Sequence, residues 1–334
     1  MLGGFLALLS AAAFALNNAA ARRGVLSGTV LQAMAISVPF GVPFFFGGLL
    51  IVGSFDDLWS FSLRDTGWLA AAGVLHFIIG RYGNYRATKA IGVNLTGPVQ
   101  DVNILISIVL AVVFLSETLT PLMMVGIALV ALGPVFTWES PKTRDAPTRG
   151  AAAPRKYAFT PAYGEGFFWA AVSAVAYGSS PILVRLGLEG GGLQNGLGRG
   201  VAAGLISYVA ATLVIVVALA WPGSLRQVLS IRRHGFTWFM IAGLFVGIAQ
   251  MLRYMALALA PVSIVAPMMR LTSIFRFYFS WLINREYERF SNGVFVGTVV
   301  SLIGAVILTL SSDFVLSLLP ASEWLATALK WRWP

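Results

Sequence analysis

A charge in hydrocarbon is costly and persists only when paired or hydrated, so ionisable side chains inside apolar runs are where this sequence could do chemistry. Asp101 and Arg270 stand out. Each lies about one helical turn after a proline, Pro98 or Pro267, and seven residues after a polar side chain, Asn94 or Ser263. Each stretch therefore presents a polar helix face beside a proline, which removes a backbone donor and bares carbonyls. In such a place Arg270 would bind a carboxylate or phosphate, with Asp101 as counter-ion or proton site. The same two residues could equally form a purely structural ion pair. Gln100 and Asn103 flank Asp101 and either add hydrogen bonds to a ligand or bond across helices.

Other polar groups fall in similar runs. Arg276 is a second anion contact or, the favoured reading, snorkels to a helix end. Asn17, Asn18, Tyr177, Ser179, Ser180 and Pro181 line a cavity or join helices. His76, Gly80 and Asn84 share a helical face, where an imidazole relays protons or simply packs. Gly83-Asn84-Tyr85-Arg86 and Gln250-Met251-Leu252-Arg253-Tyr254, at matched span ends, could gate a cavity, or their basic members could only anchor an interface. Glu117 and Glu286 end two spans, as proton-coupling groups or as caps and partners of loop cations. With no cysteine and only two histidines, His76 and His234, thiolate and multi-histidine metal centres have no ligands. No phosphate-binding G-x-x-x-x-G-K-[ST] motif occurs, and no cofactor is expected.

The elements that hold these residues are set by hydropathy. Hydrophobic residues make up 58% of the 334, charged residues 11%, and the mean hydropathy is +0.82. Soluble domains carry about 25% charge, so the chain reads as a membrane protein. Ten runs suit helices of about 20 residues: 3–21, 29–53, 66–86, 91–115, 119–138, 166–187, 197–220, 236–257, 262–283 and 292–312. They do not alternate as barrel strands do. The first run lacks the basic flank of a signal peptide. Fifteen lysines and arginines fall after odd-numbered spans and six on the other side, which places odd-numbered loops in the cytoplasm and both termini outside. The net charge of +10 is thus spread over loop anchors, which argues against nucleic acid as a partner. A polar, proline-rich stretch at 139–165 reads as a cytoplasmic linker, and 313–334, with Trp324, Trp331 and Trp333, as an interfacial tail.

The halves repeat. At an offset of 163, Gly3, Ser10, Arg22 and Gly24 meet Gly166, Ser173, Arg185 and Gly187; at 169, Tyr85, Val93, Pro98 and Glu117 meet Tyr254, Val262, Pro267 and Glu286. Five spans per half invert the second copy in the membrane, an arrangement of transporters with a midplane site. Pro98 followed by Phe114–Thr120, with Gly126 and Gly133, resembles the EamA-type repeat of the drug/metabolite transporter superfamily. The resemblance spans 3–138 and 166–312. In the second copy, Asn284-Arg285-Glu286-Tyr287 departs from the usual small residue before Glu. The resemblance implies a ten-helix secondary transporter of small metabolites, often an exporter in a bacterial inner membrane.

The expectation is therefore an all-α membrane protein of ten transmembrane helices in two inverted repeats, 1–138 and 166–312. It moves a small polar solute, with an anionic group, by alternating access in the lipid bilayer; a homodimer is a further expectation, through glycine-spaced spans five and ten. A flippase or other lipid-handling protein is the alternative. An enzyme is disfavoured because carboxylates are scattered and no metal site exists.

Overall fold

The computed structural model describes residues 2–52, 55–100, 102–116, 118–137, 161–189, 196–288, 292–309 and 331–333. Asp101, Glu117, most of the 139–165 linker and 313–330 of the tail lie outside the described residues, as does the side chain of Arg270. The chain is helical: α1 Leu2–Ser27, α2 Val30–Ser37, α3 Gly41–Val52, α4 Leu63–Gly73, a π-helical segment Val74–Gly80, α5 Arg81–Ile91, α6 Val93–Gln100, α7 Asn103–Leu115 and α8 Pro121–Thr137. The second half comprises α9 Tyr163–Glu189, α10 Leu197–Leu219, α11 Arg233–Leu259, α12 Val262–Met268, a 3-10 turn Met269–Leu271, α13 Thr272–Asn284 and α14 Asn292–Thr309. Short helices Asp56–Trp59 and Ser224–Leu229 lie between longer ones. Leu119 and Trp333 form an isolated antiparallel bridge, the one strand-type pairing among the described residues.

Among the described residues, five stretches are long and apolar enough to cross a membrane: Leu2–Ser27, Val30–Val52, Tyr163–Glu189, Leu197–Leu219 and Arg233–Leu259. Exposed Leu50, Ile51, Val113, Phe114, Leu213 and Val217 give the molecule an apolar exterior suited to lipid. Local signals start two of the helices. Thr29 and Gln32 form a capping box before α2, and Ser62 and Asp65 another before α4.

The halves are crossed. α1 packs along α11 of the second half, where Gly3 meets Ala260, Gly24 meets the Phe239 ring, and Ser10 Oγ donates to the Ala249 carbonyl at 2.6 Å. Reciprocally, α9 packs along α4, the π segment and α5, with Gly187 against Leu69, Gly83 against the Trp169 carbonyl, and Gly166 against Ile91. These small residues let backbones approach closely, the usual means of helix packing in a membrane. α8 and α14 pack on one another, Gly304 lying against the backbone of Gly126 and Val130.

Several charges sit elsewhere than the loop reading expects. Arg22 is fully buried near the end of α1, because α1 runs on to Ser27. Its Nε lies 3.1 Å from Glu288 Oε1, its Nη1 donates to the Thr88 carbonyl at 2.7 Å and its Nη2 to that of Tyr287 at 3.1 Å. Both Glu288 oxygens also accept backbone N–H groups, from Val93 at 2.9 Å and Asn94 at 3.0 Å, and so cap α6. Glu288 does the capping and pairing expected of Glu286, which is exposed in the turn after α13. Burial pushes the Glu288 carboxyl above its ordinary range, opposed by Arg22 and by the two amides. Gly92, at φ +84°, turns the chain from α5 into α6 directly beside this carboxylate. Arg81, Arg199 and Arg253 are also buried. Each side of the charge tally thereby loses two arginines, and the bias keeps its sign.

Candidate functional site

A cavity of about 120 Å³ lies among residues of both halves. α1 contributes Phe14, Asn17 and Asn18; the π segment and α5 contribute His76, Arg81, Asn84 and Tyr85; Gln100, Asn103 and Ser107 come from α6 and α7. From the second half come Tyr177 and Pro181 of α9, Val246, Gln250, Arg253 and Leu257 of α11, and Val265, Met269, Thr272 and Arg276. No acidic side chain lines it among the described residues.

Three arginines reach this cavity. Arg81 is held by the Ser37 carbonyl at 3.2 Å and the Tyr208 hydroxyl at 3.1 Å, and lies over the Phe77 ring at 5.1 Å. Arg253 donates to Gln250 Oε1 and to Ser180 Oγ, both at 3.0 Å. Arg276 donates to Ser273 Oγ at 2.9 Å, and a Cβ on Gly97 would overlap its guanidinium. Arg81 and Arg276 were expected at a loop and at a helix end; burial of the helices that carry them brings both inward.

His76 occupies the π segment. Its Nδ1 lies 2.7 Å from Ser180 Oγ, its Nε2 2.5 Å from Gln250 Nε2, and its ring 4.5 Å from that of Tyr177. An uninterrupted α-helix would align His76 with Gly80 and Asn84. The wider π turn instead sets His76 and Arg81 on one cavity wall, while Gly80 meets the Tyr177 ring.

The amides form the remainder of the lining. Gln100 Nε2 donates to Asn84 Oδ1 at 3.1 Å and to Ser173 Oγ at 2.8 Å. Asn17 Nδ2 donates to Asn18 Oδ1 at 3.4 Å, but Asn17 Oδ1 is buried with no hydrogen-bond partner. A buried acceptor left unpaired costs free energy that a ligand donor would recover.

Of the expected site residues, the structure therefore gathers Asn17, His76, Asn84, Tyr85, Gln100, Asn103 and Tyr177 on one cavity, with Ser180 immediately behind His76. Asn94 is buried but not in the lining; its backbone serves the Glu288 cap. Tyr254 is fully buried and packs edge-on to Phe45 at 6.1 Å. Arg81 and Glu288 were missing from the expected set, and Gln250 and Arg253 were expected only at a gate or interface, not in the lining. The offset of 169 carried a signal for Arg81: it aligns with Gln250, and Asn84 with Arg253, so polar positions match polar positions.

Fold and cavity together define a helical integral membrane protein with a polar interior site. Residues 1–138 match the model of the EamA-like transporter family. A crystal structure of a protein 16% identical in sequence shares the fold, with a TM-score of 0.59 over 92% of this chain and 95% of that one. No curated protein matches the sequence.

Proposed function

We propose that the protein is a secondary transporter, working as an exporter in a bacterial inner membrane, that moves a small polar metabolite bearing an anionic group. Ten spans in two inverted repeats would alternate access to the cavity, with odd-numbered loops cytoplasmic and both termini outside. The observation that carries this reading is a cavity reached by three buried arginines with no acidic group among its described lining residues. Arg81 and Arg253 are held by neutral carbonyl, hydroxyl and amide oxygens, and buried cations held in this way favour an anion in their midst. Asn17 Oδ1 would accept from an N–H or O–H of the same solute.

The lining also supports the two-fold arrangement. Gln100 and Met269, Asn103 and Thr272, and Ser107 and Arg276 stand 169 apart; Phe14 and Tyr177, and Asn18 and Pro181, stand 163 apart. α7 and α13 begin at equivalent positions, each just after a proline-containing helix, and these prolines would give each half a hinge.

Thermal unfolding with a panel of carboxylates and phosphates tests the reading. A ligand at 100 times its Kd raises stability by about 2.7 kcal/mol. An anion should stabilise the wild type and Arg199→Gln, whose arginine is buried outside the cavity, but not Arg253→Gln or Arg276→Gln. Stabilisation that survives both cavity changes, or none by any soluble anion, overturns the site. A response to lipid phosphates alone favours flipping.

A further inference from the structure

We infer that His76 Nε2 is a proton-binding site, and that its occupancy and the Gln250–Arg253 hydrogen bond exclude one another. A proton entering the cavity then frees Arg253 to receive an anion. This rests on the reading of the cavity as an anion site for its purpose, but not for its chemistry.

The chemistry follows from which atoms can donate. A guanidinium only donates, so the Gln250 atom facing Arg253 Nη1 is the oxygen, at 3.0 Å. The Gln250 amide nitrogen then faces His76 Nε2 at 2.5 Å and must donate to it. A nitrogen that accepts carries no hydrogen, so neutral His76 holds its proton on Nδ1, which donates to Ser180 Oγ at 2.7 Å. Ser180 Oγ also accepts from Arg253 Nη2 at 3.0 Å. Its own hydrogen goes to the Tyr177 carbonyl at 3.4 Å. That carbonyl is free because Pro181, four residues on, has no N–H to offer it. Arg253, Gln250, His76 and Ser180 thus form a closed ring in which every polarity is fixed.

A second proton on the imidazole reverses one polarity. Nε2–H then faces the Gln250 NH₂, donor to donor. Turning the amide over gives His76 the oxygen it needs, but sets the NH₂ against Arg253 Nη1. No orientation of Gln250 serves both cations. The described charged or titratable groups around the imidazole are Arg253 from α11, Arg81 and Tyr85 from α5, and Tyr177 from α9. None is acidic, so the added positive charge is balanced best by an anion bound with the proton.

The experiment is histidine and arginine ¹⁵N NMR on the full protein in nanodiscs, without ligand. Two histidines make assignment simple, since His234→Asn leaves His76 alone. Neutral His76 should show hydrogen on Nδ1 and an unprotonated Nε2. On acidification the Arg253 side-chain signals should shift with the same midpoint as His76. In Gln250→Glu, where one carboxylate oxygen can face each cation, the Arg253 signals should hold while His76 titrates. A neutral Nε2–H tautomer, a His76 that stays neutral over the whole range in which the protein remains folded, or Arg253 signals that stay fixed in the wild type while His76 titrates, overturns the proposal. Should Gln250→Glu not fold, the wild-type tautomer and the paired titration decide alone. Failure of the anion panel would leave these outcomes readable, so the two readings fall separately.

Discussion

Arg22 and Glu288 join the first helix of one half to the last turn of the other, out of contact with water. Replacing one partner leaves the other charge buried and alone, at a cost of about 3–5 kcal/mol. Arg22→Met should therefore lower the thermal midpoint sharply, and Arg22→Met with Glu288→Met should lower it less than either alone. The pair also sets a pH dependence. Burial raises the folded carboxyl above its ordinary value of 4.5, so the folded state holds the Glu288 proton more tightly than the unfolded chain does. The stability linked to this group is complete below about pH 4.5 and declines as pH rises through the elevated value. Glu288→Gln should flatten that limb of a midpoint-against-pH curve; an unchanged slope would assign the dependence elsewhere. At Gly92, a Cβ would bring a φ of +84° into conflict with L-residue sterics. With ψ at 166° this is a conformation kept almost wholly for glycine, so Gly92→Ala should cost about 1–3 kcal/mol, measured in the same unfolding assay.

At the scale of elements, the π segment decides which residues meet. His76 and Arg81 are five apart, close to one turn of a π-helix but about 1.4 turns of an α-helix. Deleting exposed Ile79 should let the segment relax to α-helix and rotate His76 away from Arg81. Helical content should persist while anion-induced stabilisation is lost, whereas Ile79→Ala should keep both. This element was not legible in the sequence, because nothing in Val74–Gly80 distinguishes an i→i+5 bond from an i→i+4 one. The apolar helices were legible, since hydrocarbon requires long uncharged runs. Half the lining, from Asn17 to Tyr177, was legible too, as polar residues in those runs. Arg81 was missed, and Arg253 read as a gate or anchor, because a charge near a span end reads as an anchor, and hydropathy does not show which face of α5 or α11 turns inward. Glu288 was missed because its partner Arg22 is near in space only, and the repeat places Leu119 at the matching position.

At the scale of the molecule, the surviving charge bias predicts both termini on the non-cytoplasmic face. Reporter fusions at each end measure this directly, and a cytoplasmic C-terminus would reverse the proposed orientation. The crossing of the halves carries a consequence for biogenesis. α1 leaves the ribosome well before α11, which begins only at Arg233, and Glu288 follows later still. At 5–20 residues per second, α1 waits about 10–40 s for its helix partner. During that time the nascent chain holds a finished apolar helix with an unmatched cation near one end. Arg22 must spend the interval reaching toward the headgroups, and it enters the interior only when the last third of the chain has been made.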